Sequence, residues 1–210
     1  MTKAKTRTRS AEATKGRILA AAKSEFARLG FAGARVDEIA EKAQANKRMI
    51  YHYFDSKERL FQLVLEEAYL DIRNAEQALR LDDLPPQEAL EKLVVFTWQY
   101  YLDNPEFITL VNSANLHRAK HLVGSRRLPV ASQKLVGLVD NILNRGIQEG
   151  TFRAGIDAVQ LNITIAALGY YYLTNRHTGA VLFGRDYMSK EALDERLAFN
   201  VDTIMRLVLA

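Results

Sequence analysis

Apolar side chains recur every three or four residues along nearly the whole of this 210-residue chain, and nowhere do they alternate at the interval of two that a half-buried strand requires. Ile18, Ala22, Phe26 and Leu29 form the first such stripe, and Gly30 follows where a helix needs a left-handed C-cap, so a helix is predicted from Thr14, its N-cap, to Leu29. Val36, Ile39, Ala40 and Ala43 mark a short second helix, Arg35 to Ala43. Asn46 caps a third, Lys47 to Tyr53, and Ser56 caps a longer one running to Leu81. Asp82 to Pro86 ends that helix, because proline cannot continue it but can open the next. Further helices are predicted at 87–102, 105–116, 129–148, 157–180 and 189–209, with Gly150 and Gly184 at the joints. The expected fold is all-α, about nine helices, with no internal repeat.

The chain has no cysteine, which removes disulfides, thiolate nucleophiles and every sulfur-ligated zinc site. The longest nearly uncharged stretch, Ile163 to Leu173, is too short to span a bilayer, for which about 20 residues are needed. Residues 2–17 are basic but lack the apolar run of a secretory signal, and Glu12 and Glu25 argue against the rival reading of a transit peptide. A cytoplasmic protein is expected.

Charge is uneven. Residues 1–57 carry thirteen Lys and Arg against six acids, whereas the remainder carries sixteen against nineteen. A first quarter of net +7 in a chain of net +4 points to a polyanionic partner. The alternative is a solvated basic tail, since residues 2–17 supply six of the thirteen cations.

Two short helices joined by a tight turn, the second polar and aromatic on its outer side, form a helix-turn-helix that sets the second helix in the DNA major groove. Here Arg35 to Ala43 supports and Lys47 to Tyr53 recognises. Lys47 and Arg48 can reach guanine edges, Met49 can pack on a thymine methyl, His52 adds hydrogen bonding, and the Tyr51 and Tyr53 hydroxyls suit phosphate. Lys57, in the first turn after Ser56, is placed for a further phosphate. Tyr51 has the alternative of packing half into the core.

The run Gly33 to Ala40 (GARVDEIA), then Ala43 to Phe54 (AQANKRMIYHYF), then Ser56 to Leu60 (SKERL) resembles the N-terminal domain of TetR-type transcriptional repressors. The likeness spans about 50 residues and is specific as a set. It departs at Ala34, Ala45 and Arg48, and Lys47 with Arg48 would give this chain its own operator preference. The resemblance implies base contacts from Lys47, Arg48, Met49 and His52, and phosphate contacts from Arg35, Tyr51, Tyr53 and Lys57. It also implies a homodimeric repressor with a ligand-sensing C-terminal part. On this reading residues 1–13 are a basic arm, disordered without DNA or entering the minor groove. Residues 14–56 are the DNA-binding domain, and 57–210 the sensing and dimerisation domain, with 57–81 as its connecting helix.

Val159, Ile163, Ala167 and Tyr170 on one late helix, and Leu193, Leu197, Val201, Ile204 and Val208 on the last, form stripes that suit a four-helix dimer interface. The alternative is that both stripes close the chain's own core. A sensing pocket among the middle helices has Trp98, Tyr101, Phe107, Asn112, Asn115, His117, Tyr171 and Asn175 as its candidates. An inducer bound there would act through the helix from Lys57, changing the distance between the two recognition helices. His117 and His121 have zinc-site spacing, but Arg118 and Lys120 beside them repel a metal. No catalytic motif is present, so no enzyme activity, metal or cofactor is expected. The expected partners are an operator duplex, a second copy of the chain and a small-molecule inducer. An architectural DNA binder without a sensor is the alternative class.

Overall fold

The computed structural model describes the backbone of residues 2–210 and the side chains from residue 11 onward. Among the described residues there are ten α-helices and no strand: α1 (Thr2–Gly33), α2 (Val36–Lys42), α3 (Lys47–Phe54), α4 (Lys57–Ala78), α5 (Pro86–Asp103), α6 (Pro105–Leu116), α7 (Arg127–Gln148), α8 (Ala158–Thr174), α9 (Arg176–Phe183) and α10 (Lys190–Val208). A 3-10 turn, Leu81–Asp83, precedes α5. One antiparallel bridge, Phe152 to Leu209, ties a loop to the chain end.

The all-α class stands, and the differences lie in helix ends. Helix α1 begins at Thr2, so residues 2–13 of the expected arm over 1–13 continue it in backbone, while Met1 and the side chains before Ala11 lie outside the described residues. Thr14 is therefore no cap: it is buried inside α1, and its Oγ1 accepts from Arg17 Nη2 at 3.3 Å. Gly30 has φ 67 and ψ 178, a combination open essentially to glycine alone, and it breaks the helical path where a stop was expected. The single helix predicted over 157–180 is two. Asn175 leaves helical geometry at φ −98, ψ 12, and both its backbone N–H and its side-chain amide donate to the Tyr171 carbonyl. Helix α4 stops at Ala78, three residues early, because Arg80 turns left-handed and delivers Leu81 into the core.

By packing, the chain divides into two compact units, residues 1–69 with 109–125 and residues 70–108 with 126–210. This differs from the cut at residue 57 read from the sequence, since it assigns the start of α4 and residues 109–125 to the first unit. In that unit Ile18, Ala22 and Phe26 of α1 are fully buried with Ile39 of α2, Ile50 of α3 and Leu60 and Phe61 of α4. Phe26 and Phe61 meet edge to face at 4.8 Å. Leu29, the last residue of the predicted stripe, is exposed.

In the second unit α5 is central and packs against α7, α8 and α10. Leu90 and Leu93, Val139 and Ile142, Leu161 and Ile165, and Ile204 and Val208 share one core. Ile204 and Val208 are thus corrected from interface candidates to core residues: neither exposes surface that a second chain could cover. The same core depends on Gly146, where any side chain would overlap the Phe152 ring. From α7, Arg145 donates to the carbonyls of Leu81 (3.1 Å), Asp82 (3.3 Å) and Leu84 (2.7 Å), and to Asn141 Oδ1 (2.9 Å), fixing the turn before α5. Among the described residues no helix is long and apolar enough to cross a membrane.

Candidate nucleic-acid interface

Helix α3 is short, and its ends are set by local chemistry. Asn46 is extended, and its Oδ1 accepts from the Arg48 N–H at 2.9 Å. Upstream, Ala43 closes α2 and Gln44 takes φ 49, so that the Ala45 N–H reaches the Ala40 carbonyl at 2.9 Å, a tight left-handed C-terminal turn. Downstream, Ser56 Oγ accepts from the Arg59 N–H at 3.0 Å and starts α4.

Within α3, Ile50 and Phe54 are one turn apart and buried. The helical period then forces Lys47, Arg48, Tyr51 and His52 outward, and all four are exposed, with Met49 and Tyr53 half-buried at the edges. Tyr51 is 44% exposed, so it is not a fully buried core residue. Arg35 is exposed on extended backbone before α2.

Several of the cations that made the first quarter basic are engaged internally. Arg17 Nε donates to the Ala43 carbonyl at 3.1 Å, a cation at the C-terminal end of α2 where the helix dipole favours one. The Glu25 side chain is fully buried and takes Arg28, at 3.2 Å from each oxygen, together with Lys42, which joins α1 to the last turn of α2. The Lys42 hydrogen bond is the leading reason that this carboxyl sits below its usual range, and it outweighs the opposing effect of burial. None of these three roles is visible in a charge count, and the sequence reading missed them.

The candidate phosphate and base contacts also have neighbours. Lys57 Nζ lies 4.8 Å from the centre of the Phe31 ring, and Lys15 Nζ lies 5.5 Å from that of Tyr53. Lys47 Nζ is 2.8 Å from Asp37 Oδ1 and donates to Oδ2 at 3.1 Å, and this hydrogen bond is the main cause that pushes its ammonium up from the ordinary value. Both partners are exposed, so the bridge adds little to stability, but it occupies a recognition-face cation and sets an anion beside it. Asp37→Asn is expected to tighten duplex binding several-fold and to steepen the dependence of log affinity on log salt by about one counterion. Fluorescence anisotropy across a salt series checks this, and an unchanged slope contradicts it.

The ligand candidates divide between the two units. Asn112, Asn115 and His117 belong to the first unit, and Trp98, Tyr101, Phe107, Tyr171 and Asn175 to the second. Tyr101 and Phe107 stack on each other at 5.9 Å, and a Cβ on Gly169 would lie 3.2 Å from Tyr101 and 3.4 Å from Trp98, so these buried rings pack closely on α8. Asn115 and Asn175 donate to carbonyls one turn back in their own helices. Three cavities of the second unit measure about 350, 580 and 590 Å³, and of the eight candidates only Tyr171 lines any of them.

His117 and His121 lie beyond the end of α6, with Arg118 and Ala119 left-handed between them, so the helical spacing that suggested a metal pair does not apply. His121 is buried beside Phe31 and Phe61, and that burial, with Lys120 and His117 nearby, pushes its imidazole below the ordinary value. No group of three potential ligands able to hold a metal occurs among the described residues.

Residues 18–64 match the family model described as bacterial regulatory proteins, tetR family, and residues 86–204 match the one described as tetracyclin repressor-like, C-terminal domain. The chain belongs to the TetR family. It is therefore a DNA-binding transcriptional regulator, and α2 and α3 fall within the matched N-terminal region. Among TetR-type relatives, NicS of Pseudomonas putida, described as a transcriptional repressor, is 40% identical over 200 residues, covering 95% of this chain and 94% of NicS. RutR of Escherichia coli is 35% identical over 100 residues, 48% of this chain and 47% of RutR. The crystal structure of the transcriptional regulator SCO4942 from Streptomyces coelicolor superposes with a TM-score of 0.71 at 26% identity, over 93% of this chain and 98% of that one.

Proposed function

We propose that this TetR-family chain is a cytoplasmic repressor that binds a palindromic operator as a homodimer and is released by a small-molecule inducer. The observation that carries the reading is the outer face of α3, where Lys47, Arg48, Tyr51 and His52 project together opposite the buried Ile50 and Phe54. Arg35 and Lys57 flank that face as phosphate contacts, with Tyr51 and Tyr53 beside the base-reading Lys47, Arg48, Met49 and His52. Repression is supported by the likeness to NicS over almost its whole length.

The dimer is proposed to form on α8 and α10. Val159, Ile163 and Ala167 follow one another at intervals of four on α8, and all are exposed; Tyr170, Leu193, Leu197 and Val201 are half-buried. An exposed apolar stripe of this kind marks an association face. Ile163→Arg sets a cation in the middle of it and is expected to raise the dimer dissociation constant at least about a hundredfold, the scale of like-charge juxtaposition in an apolar contact. Sedimentation velocity checks this, and an unaltered dimer would move the interface elsewhere.

Selection from random-sequence duplexes tests the reading as a whole. Two α3 helices related by a two-fold axis require an inverted repeat with half-site centres about 34–36 Å apart. Enrichment of no sequence would remove the repressor reading.

A further inference from the structure

One of the three cavities of the second unit is walled by aromatic side chains, and Tyr171 is the one expected pocket residue among its lining. It is a cavity of about 580 Å³ in the second unit, lined by Tyr171 and Tyr172 of α8, Phe183 of α9, Arg185 and Tyr187 of the following loop, and Ala192, Glu195, Arg196 and Phe199 of α10. That volume lies inside the range of about 300–1,000 Å³ typical of small-molecule sites.

Two of its aromatic side chains hold each other. Tyr172 and Tyr187 stack at 4.4 Å with 29° between their planes, and the Tyr172 hydroxyl donates to the Tyr187 carbonyl at 3.0 Å. Tyr187 in turn rests on Gly179, where a Cβ would come within 2.6 Å of the ring.

Arg196 is the polar group that the fold does not account for. Its guanidinium carbon lies 5.2 Å from the centre of the Tyr172 ring and 5.3 Å from that of Phe199. One Nη donates to the Leu168 carbonyl at 3.0 Å, whereas the buried Nε has no hydrogen-bond partner. No salt bridge pairs it with any described carboxylate. The adjacent Glu195 pairs instead with Arg185. A half-buried cation with an unmet donor and no counter-ion is costly unless something supplies the anion, and burial accordingly pushes Arg196 below its ordinary value.

We propose that this cavity binds a planar aromatic carboxylate, the carboxylate accepting from Arg196 Nη1 and the ring packing against Tyr171 and Phe199. A guanidinium presents its donors as a fork that matches a carboxylate, and its own stacking on rings orients that fork. One uncompensated positive charge suits a monoanion over a phosphate dianion, because Arg185 is already neutralised. The aromatic lining favours a flat ring over a puckered one. The proposal names a ligand class and a site for the inducer reading above, and it rests on that reading only for its regulatory consequence.

Sodium benzoate is the probe, with benzamide as its uncharged counterpart and cyclohexanecarboxylate as its non-planar one. Each is titrated into the full chain at constant ionic strength, followed by calorimetry and by the emission of Trp98, the chain's single tryptophan, whose ring lies 5.7 Å from that of Tyr172. Saturable benzoate binding is expected, with both counterparts at least about tenfold weaker. Arg196→Gln is expected to weaken benzoate by about tenfold or more, and Tyr171→Ala, whose exposed ring holds no part of the fold, by about three- to tenfold.

Absence of saturable benzoate binding up to about 10 mM, equal affinity for benzamide, or unchanged affinity in Tyr171→Ala and a folded Arg196→Gln would each overturn the site. A second arm adds the selected operator. Benzoate that binds through Arg196 but leaves the operator bound keeps the site and removes its inducer role. Release of the operator that survives Arg196→Gln keeps an inducer and places it elsewhere, which overturns this assignment.

Discussion

Glu76→Gln is expected to stabilise the protein by about 2–3 kcal/mol at pH 8 and to leave its stability at pH 4.5 nearly unchanged. Glu76 is on α4 with its side chain buried, and Arg73 Nη1 lies 3.0 Å from Oε2 without a hydrogen-bonding angle, so that oxygen lacks a partner. Burial is the dominant influence and pushes the carboxyl up to about 7, with Arg73 opposing it. A folded-state value above the unfolded one means that the native chain holds a proton the unfolded chain releases. Stability therefore falls as pH rises from about 4.5 to 7 and stays reduced above that window. A displacement of between two and three units corresponds to about 3 kcal/mol, less whatever Arg73 loses with its partner. Urea unfolding at intervals between pH 4.5 and 8 checks this, and equal slopes in the two proteins contradict it. Glu25 carries the opposite sign. Its carboxyl lies below the usual range, so its contribution is present above about 4.5 and is lost as pH falls through the folded-state value.

Arg145→Ala is expected to cost about 3 kcal/mol. The guanidinium satisfies the carbonyls of Leu81, Asp82 and Leu84, in a turn that would otherwise leave acceptors facing protein. Hydrogen bonds to a charged donor are worth about 1.5–3 kcal/mol each, and the alanine would strand several at once, though water can reach some of them. Arg145→Lys should recover less than half, because one ammonium cannot span three carbonyls at different angles. A loss below about 1 kcal/mol in urea unfolding would show that the turn holds itself.

Local signals carried most of the fold. Asn46, Ser56, Asp157 and Ser189 stand where the sequence places helix starts, since a side chain capping its own turn needs nothing distant, and Asn46, Asp157 and Ser189 accept the expected backbone N–H groups. The inward pair Ile50 and Phe54 followed from the period alone. What the period cannot say is which body covers an apolar stripe. Val159 and Ile163 are uncovered, whereas Ile204 and Val208, on an equally regular stripe, close the chain's own core. Of the pocket candidates only Tyr171 lines one of the three cavities, for a related reason. Residue type marks Trp98, Tyr101 and Phe107 as aromatic but not whether their rings enclose space or fill it, and here Gly169 lets them pack tight. Arg196 drew no attention because one arginine among many carries no local mark; its unmet Nε exists only in three dimensions.

The central claim is that the outer face of α3 reads base sequence while its flanks hold phosphate. The most direct test measures affinity of the wild-type chain, Arg48→Ala and Lys57→Ala for a selected operator and its single-base variants across a salt series. Arg48→Ala is predicted to lose about 1–3 kcal/mol on the operator and to lose discrimination at one base pair in each half-site. Lys57→Ala is predicted to weaken all sequences alike and to flatten the salt slope by about one per protomer. If Arg48→Ala weakens every sequence equally and leaves discrimination intact at each position, α3 does not read that operator through Arg48 and the account is contradicted.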